Sequence, residues 1–166
     1  MSLKTYSALD IAKYALATAP EDGGISNLKL QKLCYYAQGL CTAMRGVPLF
    51  NERVVAWDHG PVVAALYHEY KPFGANPIPA PANFDKSKID KADRAALDDI
   101  IEYFGQYSAW KLRNMTHEEA PWANAYKKAS GSEIPLQSMV EFFRPQLDDE
   151  YVKNIYGEQV QRTKQG

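Results

Sequence analysis

Ser26-Asn27-Leu28-Lys29-Leu30-Gln31-Lys32-Leu33-Cys34-Tyr35-Tyr36-Ala37-Gln38-Gly39-Leu40-Cys41-Thr42-Ala43-Met44-Arg45-Gly46 is the stretch on which the fold of this chain turns. Ser26 is an N-cap residue type. Leu30, Leu33, Cys34, Ala37, Cys41 and Met44 then keep helical spacing for four turns until Gly46 and Pro48 stop them. The pattern predicts a long central helix against which the other elements pack. Upstream, Ser7 precedes Ala8, Ile11, Ala12 and Ala15, with Asp10 three residues after the cap. This predicts a first helix ended by Pro20 and the Gly23-Gly24 loop.

Downstream, Val54-Val55-Ala56-Trp57 is a short β-favouring run, and the Ile78 region is the expected partner strand. Gly60-Pro61 reads as a helix start, since proline at the first helical position loses only an amide that would be unpaired. Val63, Leu66, Tyr67 and Tyr70 supply that helix's buried stripe. Pro72, Pro77, Pro79 and Pro81 forbid a continuous helix and predict an extended connector over residues 72–85. Four more helical segments follow: from Asp90 to Gly105 on a Leu97, Ile100, Ile101, Phe104 face, from Ser108 to Met115, from Pro121 to about Lys128, and from Pro135 to Pro145. Thr116 to Ala120 reads as a tight corner, and Asp148 to Tyr156 as a docked tail helix. From Gln159 onward the chain is polar and is expected to fray. The fold class expected is mainly α: one compact domain over residues 1–166, with six to eight helices and at most a small short-stranded β element.

Composition narrows the function. The 166 residues carry 19 Lys plus Arg against 20 Asp plus Glu. Residues 1–83 hold 7 bases and 6 acids, and residues 84–166 hold 12 and 14. Neither half offers the positive field of a dedicated nucleic-acid binder. No run approaches the ~20 apolar residues that cross a bilayer, and Met1 to Asp10 has no apolar leader core, so a cytoplasmic protein without a membrane partner is expected. Cys34 and Cys41 lie two turns apart on one helix face, about 10 Å between Cα atoms, too far for a disulfide. Buried, reduced thiols are expected.

Catalytic patterns are sparse. His68-Glu69 lacks a second histidine four residues later, and phosphate-binding or dinucleotide glycine loops and the G-x-S-x-G elbow are missing, so no metal or cofactor is expected. Asp58-His59-Gly60-Pro61 and Thr116-His117-Glu118-Glu119 each set an imidazole beside carboxylates, the residue types of an acid–base hydrolase. The same types also suit helix boundaries, and capping is the stronger reading of both. A thiolate–imidazole pair is disfavoured because both cysteines lie on an apolar stripe. The excess of tyrosine, 11 against 6 Phe and 3 Trp, suits either packing or a surface covered in a complex. Tyr35 and Tyr36 are consecutive, so only one of them is expected to point into the core. Trp57 and Trp122 are assigned to the core.

Three blocks taken together resemble a known family. Ser26 to Gly39, then Ala56-Trp57-Asp58-His59-Gly60-Pro61-Val62 running on to Leu66-Tyr67, then Thr116-His117-Glu118-Glu119-Ala120-Pro121-Trp122 are similar, in family order, to the SocA-like, phage-associated Panacea domain. The similarity runs from about Tyr6 to Phe143. Cys34 departs from it, standing where a bulkier apolar residue is expected. The resemblance implies a helical, cytoplasmic antitoxin that neutralises a cognate protein toxin by direct binding, without chemistry or cofactor of its own. Delivery of the toxin to a ClpXP-type protease is the alternative mechanism it implies, and a His-dependent hydrolase is the alternative outside it. Relatives with an added DNA-binding domain are longer, so autoregulation by this chain alone is not expected. Self-association into a homo-oligomer stays open. The positions implied to bind the partner are Lys29, Gln31, Lys32, Tyr36, His59, Gly60, Pro61 and Val62. Leu30, Leu33, Tyr35, Trp57, Tyr67, Thr116, His117, Pro121 and Trp122 are read as motif positions that build the fold.

Overall fold

The structure, a computed structural model, describes residues 3–20 and 24–157. Gly23 and the tail from Gln159, expected to be a loop and a frayed end, lie outside the described residues. Eight α-helices are present among the described residues: α1 (Ala8–Thr18), α2 (Asn27–Arg45), α3 (Ala64–Tyr70), α4 (Lys91–Gly105), α5 (Ala109–His117), α6 (Ala120–Lys128), α7 (Leu136–Phe143) and α8 (Asp149–Tyr156). The one sheet pairs β1 (Val54–Trp57) with β2 (Gly60–Val63). The mainly helical class, the small β element and the central place of α2 follow the sequence expectation. The Ser7, Ser26 and Ser108 hydroxyls accept from the amides of Asp10, Lys29 and Lys111, as the capping pattern requires.

Two expectations fail at the hairpin. Gly60-Pro61 does not start a helix: residues 60–63 form a strand antiparallel to β1, with Trp57 opposite Gly60 and Val54 opposite Val63, and α3 begins at Ala64. The proline signal was ambiguous, because a missing amide is tolerated at a strand without a second neighbour as readily as at a helix start. Ile78 is no strand partner either. Its amide donates to the Ile25 carbonyl at 2.8 Å, pinning the proline-rich connector to the loop before α2. The free edge of β1 is met by residues 131–134: Gly131 donates to the Ala56 carbonyl, Ala56 to that of Ser132, and Ile134 to that of Val54.

Around α2 the burial is nearly complete. Tyr35 and Tyr36 are both fully buried, against the expectation that only one points inward. The Tyr36 ring stacks on Phe104 of α4 at 4.0 Å, while Tyr35 and Tyr36 each meet Phe143 of α7 edge-on. A helix wrapped on every side has no outward face to give one of two adjacent residues. Gly39 makes the closest approach possible: a Cβ there would lie 2.4 Å from the Phe143 ring. Cys34 and Cys41 are buried and unpaired, and burial pushes both thiols up to about 12.

A helix enclosed this way must satisfy its polar side chains internally. Gln38 accepts from the amides of Leu49 and Phe50 and donates to the Phe50 carbonyl at 2.7 Å, holding the loop after α2. Arg45 donates to Asp93 of α4 at 2.7 Å and to the Lys4 carbonyl. Asp93 also accepts from Tyr6 and from Tyr156 of α8, so one buried carboxylate joins α2, α4, α8 and the N-terminal segment. Breaking a buried pair of this kind costs about 3–5 kcal/mol, because the remaining charge is stranded.

Candidate functional site

The three motif blocks converge on the β1–β2 hairpin. Asp58 and His59 form its tip with negative φ, and Gly60 follows at φ 109°, the left-handed residue that closes a turn of this kind. A Cβ at Gly60 would sit 2.6 Å from Lys32 Cε and 2.9 Å from Thr116 Oγ1, so glycine is also required by the crossing of α2 and α5 beneath the strand. Lys32 Nζ donates to the Pro61 carbonyl at 3.2 Å, and the Gln31 side chain accepts from the Val63 amide at 3.0 Å. Gln31 in turn donates to Asn27, whose own amide reaches the Tyr67 carbonyl. From the other side, the Trp122 indole donates to the Trp57 carbonyl at 2.9 Å.

Titratable groups in this interior are displaced from their ordinary behaviour. Burial, with Arg113 nearby, lowers Lys32 to about 7. Burial raises Glu119 to about 7, against the hydrogen bond it accepts from Tyr36 at 2.9 Å. Burial and then the Arg113 charge lower His117, whose ring stacks on Trp122 at 3.9 Å and 8°. Two of the carboxylates that the motifs set beside the imidazoles are engaged elsewhere, Glu119 with Tyr36 and Asp58 with Tyr126 and Ser130, while Glu118 is exposed. Thr116 does not cap α6. It sits in the last turn of α5 and donates to the Arg113 carbonyl at 2.7 Å, and α6 begins without a side-chain cap.

Of the positions implied to meet a partner, only His59 and Lys29 keep surface, and Lys29 Nζ is bound to the Gly105 carbonyl at the end of α4. Gln31, Lys32, Tyr36, Gly60, Pro61 and Val62 are buried. Polarity suggested exposure, but these side chains are spent on the hairpin backbone and on α4. Of the structural set, Leu30, Leu33, Tyr35, Thr116, Pro121 and Trp122 are buried. Trp57, assigned to the core, is half-buried, because the alternating pattern of β1 turns it outward against Tyr67, ring centroids 4.9 Å apart.

That outward turn opens a cleft of about 520 Å³ between α2, the hairpin and the turn after α3, walled by Leu28, Trp57, Val62 and Tyr67. His59 stands at its rim, its ring 5.7 Å from Trp110, which is 54% exposed and carries the Arg113 guanidinium 4.5 Å over its face. The periodicity of α5 gave no sign of this residue, because an indole reads as core by type. Among the described residues no helix is long and apolar enough to cross a membrane.

The motif residues of this mainly helical chain thus tie three segments together beneath the β1–β2 hairpin, of which only the Asp58–His59 tip is exposed. The family model described as antitoxin SocA-like, Panacea domain, matches residues 30–123, more than half of the chain, and the chain belongs to that family. Neither a curated protein nor a solved structure matches it.

Proposed function

We propose that this protein neutralises a cognate protein toxin by binding it directly and in fixed stoichiometry, without catalysing a reaction on it. Membership of the antitoxin SocA-like family carries this reading. The surface around the motif hairpin supports it. The imidazoles there face indoles, Glu119 and Asp58 are bonded to tyrosines, and the exposed Trp110 with Arg113 over its ring adds an aromatic and cationic patch. Tryptophan and arginine on such a face are the residue types that anchor protein complexes.

The test is co-expression with the product of the adjacent open reading frame, in cells with and without a ClpXP-type protease. Restored growth in both strains, with the two chains co-purifying at constant ratio, is the expected outcome. Rescue only where the protease is present would assign the chain to toxin delivery, and rescue without a detectable complex would remove direct binding.

A further inference from the structure

The hairpin cleft and the Trp110–Arg113 platform meet at His59, which lines the first and touches the second. We infer that they form one docking face, and that its occupant is an acidic segment of the partner toxin carrying a bulky apolar side chain. This inference rests on the direct-binding reading above.

The cleft is apolar in effect. Its polar floor groups, Asn27 and Gln31, bond to Tyr67, to each other and to Val63, so an apolar group entering it strands no donor or acceptor. Its volume, about 520 Å³, lies within the ~300–1,000 Å³ of pockets that bury a ligand. Trp110 leaves more than half of its surface in water, an area that only a second molecule can cover.

Charge selects the occupant. Lys71 lines the cleft and Arg113 lies over the Trp110 ring, and neither has an ion pair among the described residues. The one carboxylate in the cleft lining, Asp58, already accepts from Tyr126 and Ser130. The face therefore carries one cation in the cleft and one on the platform against the single Asp58 carboxylate, an excess complementary to carboxylates beside an apolar anchor. Aromatic and basic groups together also suit single-stranded nucleic acid. The balance of the chain, net charge −1, argues against that occupant.

The test measures affinity of the full chain for the product of the adjacent open reading frame by calorimetry at low and high salt. Four variants are compared, each checked for native circular dichroism: Trp110→Ala, Lys71→Glu, Ala75→Trp, which fills the cleft from an exposed wall position, and Tyr103→Ala on the exposed face of α4. Trp110→Ala and Ala75→Trp are expected to weaken binding about 30-fold or more, as anchor losses do. Lys71→Glu should weaken it about 10-fold at low salt and less at high salt. Tyr103→Ala should change it less than about threefold. A wild-type complex that tolerates the first three substitutions overturns the docking face and leaves direct binding standing. No wild-type complex at all overturns both. Displacement of the protein partner by a 20-nucleotide single strand, lost in the same variants, overturns the choice of an acidic protein segment.

Discussion

Replacing Lys32 by methionine should stabilise this protein in weak acid and destabilise it in alkali. The lysine is fully buried and its amine has one hydrogen-bond partner, the Pro61 carbonyl. In the unfolded chain it titrates near 10.5, and in the folded chain near 7. Between those values the unfolded state holds a proton that the folded state has lost, so stability rises with pH by about 1.4 kcal/mol per unit. The contribution is complete above pH 10.5 and gone below 7. At pH 6 the wild-type protein is therefore about 5 kcal/mol short of its alkaline limit on account of this one group. Methionine keeps the apolar stem and removes the penalty, at the cost of an unsatisfied Pro61 carbonyl worth about 1–3 kcal/mol. The variant should be more stable than wild type by about 2–4 kcal/mol at pH 6, with the difference shrinking and reversing toward pH 10. Urea unfolding followed by circular dichroism from pH 6 to 10 measures it. A variant that is less stable at pH 6, or a difference that does not move with pH, would refute a lysine held neutral by burial.

Glu119→Gln probes the opposite sign. Its carboxyl is raised from 4.5 to about 7, so the folded state keeps a proton the unfolded state has released, and stability falls as pH rises between those values. Relative to wild type the Gln variant should gain up to about 3 kcal/mol between pH 4 and 8 in the same urea assay, and a flat difference would show that burial does not raise the carboxyl in the folded state. Gly39→Ala sets a methyl 2.4 Å from the Phe143 ring and should cost about 1–3 kcal/mol despite alanine's better helix propensity. Adding Phe143→Leu should recover part of that loss; a Gly39→Ala protein as stable as wild type would mean that α2 and α7 do not pack as closely as described. Asp93→Asn strands Arg45 and should cost about 3–5 kcal/mol, lowering the melting temperature by about 6–20 °C, and a shift under 2 °C would contradict the buried pair.

Helix positions were legible because capping serines and apolar spacing are local signals. Ser7, Ser26 and Ser108 each cap through the side-chain bond their pattern implies. The hairpin was not legible, since Gly60-Pro61 satisfies a helix start and a turn-to-strand junction equally, and only the long-range approach of Lys32 and Thr116 to Gly60 separates them. The burial of most candidate site residues is illegible for a related reason. Gln31 and Lys32 are polar, and polarity predicts exposure until the helix is known to be enclosed; then the same atoms become partners for the hairpin backbone. Trp110 carries no local signal of its exposure, which only the packing of α5 sets.

The most direct test of the account is a titration of the toxin's activity with increasing amounts of this chain. A binder abolishes that activity along a straight line that breaks at a fixed, near-equimolar ratio. Full inactivation by one chain for every hundred toxin molecules would instead mean turnover and would contradict the account.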